Sequence, residues 1–278
     1  STTTWCGPTF VAGRGALDFS NRYILGFSLA LCLVCSTAVS ALAVGLKERQ
    51  EANRVLDMKL NILKVARLVE EKDDPTVEEV EAFFKDIEAS VIDRESGATL
   101  DGLDPWIFSP LKEARNPGGG VDASELPEIS RTLAKRIALK RIPRALVVYR
   151  VNKPGKECLV LPIWGNGLWS LLEGFLAVNL DENRVVGITF FAHKETAGLG
   201  GEVDNPTWKA QWPGKTLFDG DSPAVTVVKK GAVRDSGHQV DGISGATITS
   251  LAVGNAVQLW LGDSGYGPFL DILQEESR

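Results

Sequence analysis

The hydrophobic pattern begins with one uninterrupted apolar run. From Tyr23 to Leu46 (YILGFSLALCLVCSTAVSALAVGL) no residue is charged, and Arg22 and Lys47 bracket the run. Roughly 20 apolar residues rising ~1.5 Å each cross the hydrocarbon of a bilayer, and long basic side chains at both ends reach the headgroups. The run therefore predicts a transmembrane helix in contact with lipid. Ala41-Leu42-Ala43 offers a signal-peptidase pattern, but signal cores run only about 7–15 residues, so an uncleaved anchor is expected. Leu33-Val34 before Cys35 lacks the small residues of a lipoprotein box.

Beyond the run the apolar period becomes helical. Val55, Leu56, Met58, Leu60, Ile62, Leu63, Val65, Ala66 and Leu68 predict that the helix continues outward as a stalk from Glu48 to Val69. Asp73-Asp74-Pro75 stops it, and Thr76 opens a second, acidic helix expected to reach Ile92, with Val77, Val80, Phe83, Phe84 and Ile87 as its apolar stripe. Residues 93–124 are punctuated by Gly, Pro and Asp and read as loops, softest at Asn116-Pro117-Gly118-Gly119-Gly120. Arg131 to Arg144 reads as a solvated basic helix face.

Strand patterns follow. Ala145 to Val151, Glu157 to Ile163, Leu171 to Leu180, Arg184 to Phe191 and Ala224 to Val228 are apolar and β-branched, and Asp181-Glu182-Asn183 reads as a hairpin turn. A last helix is expected from Thr247 to Leu261. There is no βαβ alternation, so the fold class is α+β with a mostly antiparallel sheet behind a single transmembrane helix. The expected divisions are 1–22, the span 23–46, the stalk and following part 47–160, and a C-terminal domain 161–278.

Charge and cysteine content narrow the function. Thirty Lys plus Arg against 36 Asp plus Glu leave a net charge of −6, without the basic field of a nucleic-acid binder. Four Cys do not make a disulfide scaffold, and two His cannot build a multi-His metal site. Cys32 and Cys35 share one face of the predicted span, either as small packing residues or as two ligands of a cluster completed by neighbouring subunits. Cys6 precedes the span, and Cys158 is the one thiol well beyond it. Arg14 and Arg22 lie before the span, with Lys47, Arg49, Arg54, Lys59 and Lys64 after it. Counting these would keep the C-terminal side cytoplasmic, but the rule weakens when a long domain follows.

The stretch richest in chemistry is Asp241-Gly242-Ile243-Ser244-Gly245-Ala246-Thr247-Ile248-Thr249-Ser250, where a loop turns into the last helix. The first turn of a helix presents unpaired N–H groups and a positive dipole end, and small residues let a phosphate approach them. A threonine hydroxyl there can also be esterified. The plain structural account is a helix cap, with Ser244 or Thr247 capping and Gly242 and Gly245 shaping the turn. A serine hydrolase would need Ser244 with His193 or His238 as base, and Ala246 breaks the G-x-S-x-G pattern.

The D-x-x-S-G-A-T pattern resembles the signature at which a flavin transferase attaches FMN to threonine through a phosphoester. Further segments agree: Leu161 to Trp169 (LPIWGNGLW), Glu195 to Glu202 (ETAGLGGE), Asn205 to Trp212 (NPTWKAQW) and Trp260 to Leu270 (WLGDSGYGPFL). In this order they resemble the C subunit of the sodium-translocating NADH:quinone reductase, with Ala197 where that family usually has proline. The G subunit of Rnf-type electron-transfer complexes carries a related motif, and GNGLW and ETxGLGGE together favour the sodium-pump subunit.

The resemblance implies that Thr247 carries FMN, with Thr249 as the alternative. Ser244, Gly245 and Ala246 would shape the phosphate site, and Asp241 would form the turn or serve the transferase. Glu195, Thr196, Gly198, Leu199 and Gly200 would form the other side of the flavin pocket, with Trp169 and Lys229 as further candidates. It also implies an inner-membrane complex with other subunits and a large domain outside the cytoplasm, residues 1–22 being cytoplasmic and 161–278 the FMN-binding part. Electrons would come from NADH in another subunit through an iron–sulfur centre, and leave to a second covalent FMN, riboflavin and ubiquinone. The chain itself carries no dinucleotide fingerprint. A membrane-anchored assembly subunit without cofactor is the reading from a different class.

Overall fold

The computed structural model describes residues 20–276 apart from Glu71 and Asp74, so Cys6, Arg14 and most of the 1–22 segment lie outside the described residues. The chain divides into two compact units, one reaching to Asn53 and the other comprising Arg54–Arg278. Helix α1 (Asn21–Val65) includes the apolar stretch Asn21–Lys47, which is long and apolar enough to cross a membrane and has its side chains exposed. Within it Ser36 and Thr37 donate their hydroxyls to Leu33 O at 3.1 and 2.7 Å, so these polar side chains need no water.

In the second unit the elements after α1 are α2 (Val77–Phe83), β1 (Ile87–Asp93), α3 (Pro110–Glu113), β2 (Gly120–Asp122), α4 (Glu128–Arg136), β3 (Arg141–Pro143), β4 (Ala145–Val151) and β5 (Cys158–Asn166). There follow β6 (Leu171–Asn179), β7 (Arg184–Ala192), α5 (Pro206–Lys209), the short strands β8 (Phe218–Asp219), β9 (Ser222–Pro223), β10 (Thr226–Val228) and β11 (Gln239–Asp241), then α6 (Thr247–Leu261) and α7 (Gly267–Glu276). Strands β1-β4-β5-β6-β7 form one antiparallel sheet in that order. The tight link between β6 and β7 turns at Asn183, whose φ of 51° a short polar side chain tolerates. Strands β10 and β11 pair in parallel.

Both faces of the sheet are covered, which explains why its strands read as unbroken apolar runs. The period of two sorts neighbouring side chains onto opposite faces. Leu146, Val148, Leu159, Leu161, Leu176 and Val178 join α4 and α6 in one core cluster. Val147, Tyr149, Cys158, Val160, Phe175 and Ala177 join the end of α1, through Ile62, Leu63, Val65 and Ala66, in the other. Burying such a side chain contributes roughly 1.5–3 kcal/mol each. Tyr266 ties the layers together by donating to Pro162 O at 2.8 Å, with Val147 O at 3.2 Å.

Three expectations are corrected. The helix opened by Thr76 has its capping box (Glu79 N to Thr76 Oγ1, 3.3 Å; Thr76 N to Glu79 Oε2, 2.8 Å), but it ends at Phe83. After one tight turn, Ile87 to Asp93 pair with β4 because Ile87 and Val91 fill the sheet face beneath α1; long-range burial outweighs the acidic helical pattern. The basic segment is helix only to Arg136. It reverses at Ala138 (φ 49°) and becomes β3, where the exposed Arg141 donates its guanidinium to Ala114 O and Gly120 O at 2.6 and 2.7 Å. The loop region 93–124 holds α3 and β2, since Gly120 must pack against Ala114 and Ile142 backbone, where a Cβ has no room.

Candidate functional site

The start of α6 is left open. Its N-cap is Ala246 (φ −126°, ψ 44°), which offers no oxygen, and neither Ser244 nor Thr247 caps the helix. An Ala at this place costs about 0.5–2 kcal/mol relative to Ser, Thr, Asn or Asp. Among the described residues no acceptor meets the amides of Thr247, Ile248 and Thr249; the first paired amide is Ser250 N, on Ala246 O at 2.9 Å. The turn is held from below instead: Ser250 Oγ accepts from Ile243 N at 2.9 Å and donates to Ala246 O at 2.8 Å. Gly245 takes a φ of 74°, the left-handed region that a side chain disfavours.

The four hydroxyls of this turn and first helical turn are used differently. Thr249 is buried and donates Oγ1 to Glu195 Oε2 at 2.8 Å. Ser250 is buried and doubly bonded, as above. Thr247 is exposed, and its Oγ1 bonds to nothing among the described residues. Ser244 is likewise exposed.

Two other segments meet this turn. In the 195–201 loop Thr196 O accepts from Leu199 N and Gly201 N at 3.1 and 2.9 Å, and Gly198 has a φ of 76°. Thr196, Gly198 and Leu199 are exposed, and Leu199 Cδ2 lies 2.9 Å from where a Gly245 Cβ would stand. Gly200 is buried, and the space a side chain would need is filled by Glu195 and Thr249 rather than kept open. In the turn between β5 and β6, Trp169 N and Ser170 N donate to Glu195 Oε1, each at 2.9 Å, while the Trp169 ring is 72% exposed. Glu195 itself is buried. Burial alone would raise its carboxyl, but the N–H of Trp169, the Thr249 hydroxyl and Ser170 outweigh that and hold it below the usual carboxylate range.

Asp241 closes the turn after β10 by accepting from Lys230 Nζ and Gly231 N, both at 2.6 Å, and the Lys230 hydrogen bond holds its carboxyl low. Trp208 Nε1 donates to Asp241 O at 2.8 Å. Lys229 is exposed in the same turn. A cavity of ≈ 330 Å³ beside the motif is lined by Gly198, Glu202, Asn205, Trp208, Lys230 and Ser244. His193 bonds Asp204 (2.6 Å) and accepts from Glu195 N, and His238 bonds Asp235 (2.6 Å); among the described residues neither ring bonds Ser244. Cys32 and Cys35 are exposed on α1, and among the described residues no three His, Cys, Asp or Glu side chains gather as a metal site. Sequence reasoning missed the Thr249 and Ser170 links to Glu195 and the role of Lys230, because these partners are far apart along the chain.

The chain as a whole is similar to known proteins. The family described as the FMN-binding domain matches residues 167–262. The chain is 43% identical over 262 residues to the C subunit of the Na(+)-translocating NADH-quinone reductase of Pseudomonas aeruginosa, covering 92% of this chain and 97% of that protein. It is 44% identical over 247 residues to the Vibrio anguillarum counterpart, covering 87% and 91%. Among solved structures, Shewanella oneidensis NqrC superposes with a TM-score of 0.70 at 28% identity, covering 81% of this chain and 99% of that one. The C subunit from Parabacteroides distasonis gives 0.61 at 27% identity, covering 81% and 96%.

Proposed function

Because the chain belongs to the NqrC family, the C subunits of the Na(+)-translocating NADH-quinone reductases, we propose that it is the electron-relay subunit of such a membrane complex and carries FMN as a phosphoester on Thr247. The observation that carries this reading is the open start of α6. A helix of 15 residues begins on an alanine, leaves three amides unpaired and presents one unbonded threonine hydroxyl beside them. A phosphate ester on Thr247 supplies the acceptors that this end lacks. The local charges fit: the nearest carboxylate of the motif, Asp241, is paired with Lys230.

Each part of the chain then has a task. Thr247 Oγ1 provides the ester oxygen: a flavin transferase transfers the FMN half of a flavin adenine dinucleotide to it, the pyrophosphate bond breaks with AMP as the leaving group, and the hydroxyl proton passes to solvent. Ser244, Gly245 and Ala246 keep the approach free of bulk. Leu168, Trp169, Leu199 and Ile248 leave apolar surface exposed around the site, suited to a planar ring. Thr196, Gly198 and Lys229 stand at its polar margin. Bound FMN supplies one- and two-electron transfer, while the protein fixes its place. NADH oxidation belongs to another subunit, with electrons arriving from an iron–sulfur centre and leaving to a second flavin subunit. The exposed apolar part of α1 lies in the lipid of the inner membrane, with the second unit outside the cytoplasm.

The test is direct. Chain made in cells that contain the transferase is run on a denaturing gel and viewed under ultraviolet light, and the 241–250 peptide is weighed for added FMN. A fluorescent band that goes dark in Thr247→Val with the fold intact is expected. A dark wild-type band would leave a membrane-anchored assembly subunit without flavin.

A further inference from the structure

Three of the segments around Thr247 are fastened to one side chain. Glu195 Oε1 accepts from Trp169 N and Ser170 N at 2.9 Å each and from Ser170 Oγ at 3.2 Å. Glu195 Oε2 accepts from Thr249 Oγ1 at 2.8 Å. The two amides can only donate, and both hydroxyls donate here, so the site suits a carboxylate with no proton of its own; a neutral amide accepts these hydrogen bonds more weakly. The two glycines beside it leave it room. A Cβ at Gly167 would lie 2.8 Å from Glu195 Oε1, and one at Gly200 would strike Oε2. The Glu195 amide is also engaged, donating to His193 Nδ1 at 3.2 Å, while His193 Nε2 meets Asp204 at 2.6 Å.

We propose that Glu195 is the positioning residue of the site: its buried carboxylate sets the 167–170 turn, the 195–201 loop and the first turn of α6 in register, and so fixes the surface against which a group on Thr247 lies. It does this from beneath, without touching that group. Three motifs that look independent along the chain then have one physical cause. GNGLW supplies a glycine and the Trp169 amide to Glu195, with the Ser170 amide directly after it, ETAGLGG supplies the carboxylate and the glycine over it, and SGATIT supplies the Thr249 hydroxyl. The low carboxyl of Glu195 agrees, since each hydrogen bond favours the ionised form. The consequence for a bound flavin rests on the Thr247 assignment; the assembly of the three segments does not.

The experiment uses the full chain in two forms, from cells lacking and containing the flavin transferase, with Glu195→Gln, Thr249→Val and Thr249→Ser. In the flavin-free form, hydrogen exchange at the Trp169 and Ser170 amides is expected to quicken at least about tenfold in Glu195→Gln, with β6 amides unchanged, and to stay at the wild-type rate in Thr249→Val. In the loaded form, Thr249→Val, which keeps the shape of the side chain, lowers the emission anisotropy of the attached flavin, and Thr249→Ser, which keeps the hydroxyl, restores it. Unchanged exchange in Glu195→Gln, or equal anisotropy in all three Thr249 forms, overturns the proposal. If Glu195→Gln does not fold, the Thr249 pair decides. If wild-type Thr247 carries no flavin, the relay reading falls, and the exchange measurement still decides the role of Glu195.

Discussion

Leu199 occupies the place a side chain on Gly245 would need, its Cδ2 lying 2.9 Å from an ideal Cβ there. The 195–201 loop and the turn before α6 are thus in contact at a glycine that also holds a φ of 74°. Gly245→Ala meets both obstacles. Left-handed backbone costs an alanine about 1–2 kcal/mol, and the displaced leucine adds to it. Gly198→Ala meets only the first, since its φ is 76° but nothing lies within 4 Å. Urea titration is expected to rank Gly245→Ala below Gly198→Ala, and a reversed order would contradict the contact.

Tyr266→Phe should destabilise the second unit by about 1–3 kcal/mol, because two buried carbonyls, Pro162 O and Val147 O, lose their shared donor. The ring itself is fully buried and stays in place, so far-UV circular dichroism should not change while the denaturation midpoint falls.

Two carboxylates give opposite pH signatures. Burial raises the Glu173 carboxyl despite Arg54 and Arg115, so its ionised form weakens the native state and Glu173→Gln should stabilise the protein at pH 7. That advantage shrinks as pH falls through the raised value. Glu195 is held below its unfolded value near 4.5, so its contribution is present above that pH and is lost as pH falls through the native value. Denaturant midpoints measured from pH 7 to pH 3 for wild type, Glu173→Gln and Glu195→Gln should diverge in these two directions.

Cys158 should be silent towards alkylating reagents until the protein unfolds. Burial, with the neighbouring Glu157 charge, pushes its thiol up to about 12, leaving about one thiolate in ten thousand at pH 8. Iodoacetamide labelling of Cys158, followed by peptide mass, should therefore track global unfolding; rapid native labelling would show the β5 end to be open.

Much of the fold was legible because apolar period and burial agree locally. Strands β4, β6, β7 and α6 start and stop within a residue of the apolar pattern, while β5 runs on three residues past Ile163 to Asn166, and both covered sheet faces explain their unbroken hydrophobicity. Ile87 to Asp93 was not legible: its Thr76–Glu79 capping box is a true helix signal, and only pairing with Ala145–Val151, far along the chain, turns the following residues into strand. The site divides in the same way. Its motifs were visible one by one, yet the sequence left Thr247 and Thr249 as alternatives. Their hydroxyls separate them, one free at the surface and the other spent on a carboxylate 54 residues away.

The last turns of α1 bear on how the chain can be cut or replaced. Ile62, Leu63, Val65 and Ala66 are one wall of the sheet's second core, although they belong to the same continuous helix as the apolar stretch. A water-soluble version trimmed at Lys47 keeps that wall, whereas trimming at Val65 strips it and bares Val147, Val160, Phe175 and Ala177. Anchor exchange between relatives is therefore modular only upstream of Arg54; beyond it, the transplant is a core mutation.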